Sequence, residues 1–202
     1  MARIETVADL EALYGAPGPA SLRKVATTIT PAYRRLIEAA PFLALATSGP
    51  EGLDVSPRGD AAGRLVRIAD ARTLILPDRR GNDRIDSLRN VVRDPRVALM
   101  FLVPGWGNAL RVNGRAHVEA DAALLDSLAV DGKAPRSVLI VAVEEIYFQC
   151  ARAVVRSGLW SGAAAPAGLP TAGEILAGMT DGEVGGPDYD SGWAARASTT
   201  LW

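Results

Sequence analysis

Three arginines close together, Arg79, Arg80 and Arg84, follow a short apolar run, Thr73-Leu74-Ile75-Leu76, that ends at Pro77. Glycine at position 81 loosens the loop, and helical spacing resumes with Asn82 or Asp83 as the predicted cap. The pattern reads as strand, cationic loop and helix. A helix start presents unpaired backbone N–H groups and partial positive charge, so guanidinium groups beside it form a receptor for a phosphate-bearing ligand. A solvated basic loop has the same local signature, and the spacing alone does not choose between the two.

Other chemistries fall away on residue type. His117 is the single histidine and Cys150 the single cysteine, which leaves no donor set for a histidine- or cysteine-built metal centre. There is no Gly-x-Ser-x-Gly elbow and no Walker-type phosphate loop, and Gly105-Trp106-Gly107 lacks the third glycine and following helix of a dinucleotide fingerprint. His117 alternates with Arg115 and Glu119, as a solvated or ion-paired strand residue does. Cys150, at the end of an apolar strand, reads as a buried and inert thiol. A chain this short of conventional catalytic groups, yet with a local arginine cluster, is suited to a cofactor that carries the chemistry.

Composition narrows the setting. Lys plus Arg total 22 against 23 for Asp plus Glu, and a net charge of −1 argues against nucleic acid as a partner and makes any anion site local. A lone cysteine and an N-terminus without an apolar signal region predict a cytoplasmic protein. No apolar run approaches the roughly 20 residues that cross a bilayer, so no membrane partner is expected. The length of 202 residues suits a single domain.

The elements that position the loop follow from periodicity and breakers. A helix is predicted over 6–14, capped by Thr6 and stopped by Gly15, then a bend at Pro17 and Pro19, then a helix from Thr30-Pro31 to Ala40. From Phe42 the period shortens to that of strands: 42–47 and 53–56 joined by Ser48-Gly49-Pro50-Glu51-Gly52, then 65–68, 73–76, 96–103, 109–119 and 137–148. The run 96–103 is apolar on both faces and belongs in the middle of a sheet. Gly114 interrupts the alternation of 109–119 and predicts a bulge or barrel corner. A short helix is expected over 122–130, one or two helical turns over 151–160 and about 174–179, and a polar tail after Gly185-Gly186-Pro187. The fold class is mainly β with peripheral helices, an antiparallel barrel or sandwich.

The order of a helical N-terminal arm, the strand Phe42–Thr47, Ser56-Pro57-Arg58-Gly59-Asp60, the Asp78–Arg84 loop, Asn90 and Asp94-Pro95-Arg96-Val97-Ala98-Leu99-Met100-Phe101 resembles the pyridoxamine 5′-phosphate oxidase-like flavoprotein family, within it a subgroup of probable FMN-dependent enzymes. Leu110-Arg111-Val112-Asn113-Gly114-Arg115-Ala116 and Arg156-Ser157-Gly158-Leu159-Trp160 add to the likeness, which spans about residues 30–180. The resemblance implies a six-stranded antiparallel split β-barrel over about 41–150. An arm over about 1–40 and a helical or irregular segment over 151–202 would flank it in one FMN-binding domain. It implies FMN as cofactor and a homodimer with cofactor sites at the subunit interface. Arg58 and Arg84 would hold the FMN phosphate and Asn82 would add a polar contact. The backbone of Arg58, Gly59 and Asp60 and of Leu76 and Pro77 would lie along the isoalloxazine ring. Asn108 would contact the flavin from the Trp106–Leu110 turn, and Arg156 and Trp160 would complete the pocket across the dimer, Trp160 as an apolar wall. The implied activity is oxidoreduction, with hydride passing through flavin to or from a small-molecule substrate; no catalytic side chain is assigned. A carrier of FMN or a related phosphorylated cofactor, and an F420-dependent reductase, are the alternatives. The C-terminus, Ala194–Trp202, lacks the Arg-x-His element with which true pyridoxamine-phosphate oxidases bind substrate, so vitamin B6 oxidation is not implied.

Overall fold

Hydroxyl caps, prolines and glycines set most element ends. The computed structural model describes residues 3–201; Met1, Ala2 and Trp202, the ends of the segments discussed above, lie outside the described residues. Helix α1 (Val7–Tyr14) starts at Thr6, whose hydroxyl accepts from the Asp9 N–H at 3.1 Å, and stops at Gly15. Where the sequence predicts only a bend, α2 (Pro19–Arg23) forms a short helix with proline in its first turn. Helix α3 (Pro31–Ala39) is capped by Thr30, which accepts from the Tyr33 N–H at 3.2 Å.

The strands and remaining helices follow as β1 (Phe42–Gly49), β2 (Gly52–Gly59), β3 (Arg67–Ile68), β4 (Thr73–Pro77), α4 (Asp86–Arg93), β5 (Arg96–Leu102), β6 (Ala109–Glu119), α5 (Ala122–Asp126), β7 (Val138–Gln149), α6 (Arg152–Ser157), α7 (Ala172–Met179), α8 (Pro187–Ser191) and α9 (Trp193–Thr200). They build one antiparallel sheet in the order β2-β1-β5-β6-β7-β4-β3. The sheet has seven strands rather than six, because the two-residue β3 pairs with β4 as a separate strand. It does not close: β2 and β3 are its two free ends, so the architecture is roughly that of a split barrel. As its apolarity requires, β5 lies mid-sheet, between β1 and β6.

The interior is filled by alternate residues of the strands, among them Leu43, Leu45, Leu74, Leu76, Leu99, Phe101, Leu110, Val112 and Ile146, with Ile37 of α3 packed on them. Gly114 sits at a register shift between β6 and β7, where a Cβ would run into the Ala142 carbonyl. This is the predicted bulge, and it bends β6 where the sheet curls. Helix α4 is pinned to β1 by buried Asn90, whose Nδ2 donates to Thr47 Oγ1 at 3.2 Å and whose side chain fills the space over Gly49.

Three further sequence expectations change. Helix α4 begins at Asp86 rather than at Asn82 or Asp83, because Asn82 Oδ1 accepts from the Arg84 N–H at 3.1 Å and Asp83 adopts φ +59°, which adds a turn before the helix. Helix α5 ends at Asp126. The C-terminal segment is helical: a reciprocal capping box between Thr171 and Glu174 starts α7, and the Asp190 carboxylate accepts from Thr171 Oγ1 at 2.5 Å and from the Gly173 N–H at 2.8 Å, which ties α8 to α7. No described helix is long and apolar enough to cross a membrane.

Candidate cofactor cavity

A cavity of about 770 Å³ opens at the split of the sheet, between edge strand β2, the segment after β4 and the start of α4. Strand alternation sends Asp54, Ser56 and Arg58 of β2 toward it, while Pro77 ends β4 and turns the chain into the loop that forms the opposite wall.

Two ion pairs latch the walls together. Arg58 Nη1 lies 2.5 Å from Asp78 Oδ1, and Arg79 Nε lies 2.8 Å from Asp60 Oδ2, with all four side chains less than a quarter exposed. Arg79 Nη1 also donates to the Leu128 carbonyl at 2.9 Å. Behind them runs an ordered chain of hydroxyls. Ser87 Oγ donates its one proton to Asp54 Oδ2 at 2.5 Å, so in its 3.0 Å contact with Ser56 it accepts; Ser56 Oγ in turn accepts from Arg58 Nε at 3.2 Å. Arg58 is thereby held on two sides.

The loop beyond is open. Arg84 leaves 78% of its side chain exposed and places Nε 2.5 Å from Asp86 Oδ2; this hydrogen bond and the carboxylate charge raise the guanidinium pKa further, so it stays cationic. Arg136 pairs with Asp83 at 3.0 Å, both exposed. Arg80 has no ion pair among the described residues. Helix α4 carries no side-chain cap at Ile85, which leaves the amides of its first turn without a side-chain partner.

Of the residues singled out from the sequence, Arg58, Gly59, Asp60, Leu76, Pro77, Asn82 and Arg84 line this one cavity. Asn108, Arg156 and Trp160 do not. The β5–β6 turn that holds Asn108 meets the segment of α6, which carries Arg156: Trp160 Nε1 donates to the Trp106 carbonyl at 2.9 Å, and a Cβ on Gly107 would touch Ala151. Ser56 and Ser87, which only a fold can bring together, carry no signal in the sequence, and Trp193 and Thr200 of α9 and Leu201 just past its end also line the cavity. Cys150 is exposed, not buried, because β7 ends at Gln149 and leaves the thiol outside the sheet, where a hydrogen bond from the Arg152 backbone N–H lowers its pKa. His117 is exposed and 3.9 Å from Glu119, the solvated strand position expected. Among the described residues no group of histidine, cysteine and carboxylate side chains could hold a metal ion.

The family model described as "Pyridoxamine 5'-phosphate oxidase" matches residues 29–150, more than half of the chain and all of the sheet. The chain belongs to the pyridoxamine 5′-phosphate oxidase family. Among curated proteins none matches it. Similar solved structures include HupZ of Group A Streptococcus (20% identity, 68% of this chain and 99% of that one, TM-score 0.48). An F420 reductase (22%, 59% and 98%, 0.43) and a protein of Clostridium acetobutylicum related to general stress protein 26, of the pyridoxinephosphate oxidase family (17%, 57% and 83%, 0.43), are similar too.

For a member of the pyridoxamine 5′-phosphate oxidase family, the donors in this cavity suit a phosphate-bearing group. Arg80 and Arg84 lie beside the uncapped start of α4, and neither is buried. The volume falls within the range of small-ligand sites, about 300–1,000 Å³. Gly59 leaves the backbone at the end of β2 bare of any side chain against a planar ligand.

Proposed function

We propose that the cavity at the split holds FMN and that the protein is a homodimeric FMN-dependent oxidoreductase. The observation that carries this reading is the pair of exposed arginines at the mouth of the cavity, Arg80 with no ion pair among the described residues and Arg84 paired only with Asp86 of its own loop, beside Arg58 and Arg79, which are mostly buried and latched to aspartates across the split. Arg84 and Arg80 hold the phosphate, Asn82 adds a polar contact, and the backbone of 58–60 with Leu76 and Pro77 lies against the ring system. Bound flavin supplies two-electron chemistry, exchanging hydride with a small substrate. The cavity carboxylates Asp54, Asp60, Asp78, Asp83 and Asp86 each have a hydrogen-bonding partner, so they position arginines and hydroxyls and need not act as acids or bases.

The second copy covers the outer face of β2, β1 and β5. Cross-strand rows Val55–Ala46–Ala98 and Pro57–Ala44–Met100 make that face apolar, and Val55 is 67% and Met100 42% exposed. In the dimer, Asn108, Arg156 and Trp160 complete the partner's cavity. A dimer by light scattering that turns monomeric in Val55→Lys/Met100→Lys supports this; a wild-type monomer contradicts it.

The purified protein should be yellow, or gain flavin absorbance bands on incubation with FMN, and the bound flavin should bleach on anaerobic addition of NAD(P)H or another two-electron donor. Binding without reduction by any donor would make the protein a carrier, and a colourless preparation that takes up F420 instead would make it a deazaflavin reductase.

A further inference from the structure

Arg79 forms a wall between the cofactor cavity and a second cavity of about 490 Å³. Four guanidinium groups, of Arg34, Arg64, Arg67 and Arg79, line the second cavity against the carboxylates of Glu38 and Asp131. The hydrogen bonds show which of these charges are already matched. Arg34 Nη1 is 3.5 Å from Glu38 Oε1 at the exposed rim, and Arg79 is paired with Asp60 on the cofactor side. Arg67 Nη1 donates to Ser127 Oγ at 2.9 Å, while that hydroxyl gives its own proton to the Leu124 carbonyl at 2.6 Å. Arg67 therefore meets a neutral acceptor and its charge stays uncompensated. Arg64 has no ion pair among the described residues, and Asp131, held at φ +50° in its turn, pairs with none of the four arginines.

Beneath these cations the surface is apolar, with buried Val66 and half-buried Ile68 and Leu128. Two arginines without an ion pair among the described residues, Arg64 and Arg67, thus share with Arg79 a concavity of small-ligand size that has an apolar floor. We infer that the second cavity is a binding site for a small phosphate-bearing anion, separate from the cofactor cavity. The site does not depend on flavin occupying the first cavity. Arg79 serves both cavities, so the test leaves it intact.

The probe is inorganic pyrophosphate, titrated calorimetrically at low salt into the full chain. Arg80→Ala/Arg84→Ala removes the exposed cations of the first cavity other than Arg136, which is paired with Asp83, and should leave a binding event. Arg64→Ala/Arg67→Ala should weaken that event by about ten- to a hundred-fold, the usual effect of losing charge-assisted contacts. Arg64→Lys/Arg67→Lys should recover most of the affinity, which separates loss of charge from loss of fold. Equal binding to wild type and Arg64→Ala/Arg67→Ala, or no binding event in Arg80→Ala/Arg84→Ala, would overturn the assignment.

Discussion

Arg58 and Arg79 on one side of the cavity, and Arg80 and Arg84 on the other, are the same residue type put to opposite uses. The first pair is mostly buried, and each guanidinium faces an aspartate across the split of the sheet. The second pair is exposed; Arg84 shares a carboxylate only two residues away, and Arg80 has none among the described residues. An arginine bound at short range to a buried carboxylate has little charge left for a ligand, and its removal strands the partner. An exposed arginine contributes little to folding and keeps its charge available. The first pair holds the walls of the cavity in place; the second is free to meet what enters it.

The largest effect should come from breaking a latch. Asp78→Ala leaves Arg58 partly buried without its carboxylate and should cost about 2–3 kcal/mol, somewhat below the loss for a fully buried pair, read as a drop of several degrees in Tm of the cofactor-free protein. If the Tm were unchanged, the latches would be no more than surface pairs. Arg84→Ala should do the reverse: leave that Tm close to wild type and weaken FMN binding about ten- to a hundred-fold, measured by flavin fluorescence quenching. Asp86→Asn sharpens the contrast further. It removes the carboxylate that competes for Arg84 and should tighten FMN binding a few-fold; weaker binding would mean that Asp86 orients Arg84 rather than occupying it.

The smallest effect concerns pH, at a pair with neither role, an exposed arginine on a half-buried aspartate. Arg96 hydrogen-bonds Asp94 and lowers its pKa to about 2 from 3.8. A carboxylate with a depressed folded-state pKa contributes stability that is fully present above the unfolded value and is lost as pH falls through the folded one. The difference in Tm between wild type and Asp94→Asn should therefore be present at pH 6 and fade as the pH approaches 2. A difference that grew on acidification would contradict this sign.

How much of this was legible in the sequence follows the same division. Local chemistry could be read directly: the caps at Thr6 and Thr30, the central position of β5 and the bulge at Gly114 each rest on one residue or one period. So could the grouping of Leu76, Pro77, Asn82 and Arg84, which the strand–loop–helix pattern carries as a unit, whereas Arg58, Gly59 and Asp60 joined them only through the family resemblance. Long-range pairing could not. Nothing near Arg58 announces Asp78, nor does Arg79 announce Asp60, so the sequence alone cannot tell a structural arginine from an available one. The start of α4 moved because an Asn82 side chain that can cap a helix can equally close a turn onto the Arg84 N–H. The C-terminal helices were obscured by glycine and proline, whose turn-forming signal hides the caps and the Asp190 link that hold the segment together. That segment brings Trp193 and Leu201 to the cavity, well beyond the part of the chain that the family model matches.

The central claim, that the exposed arginines at the split receive a phosphate, is tested most directly by comparing FMN with riboflavin, which lacks the phosphate, in fluorescence titrations of the cofactor-free protein. Wild type should bind FMN at least about tenfold more tightly than riboflavin, and Arg80→Ala/Arg84→Ala should bring the two affinities together by weakening FMN alone. Equal affinity of the wild-type protein for both flavins, or a preference for FMN that survives loss of both arginines, would contradict it.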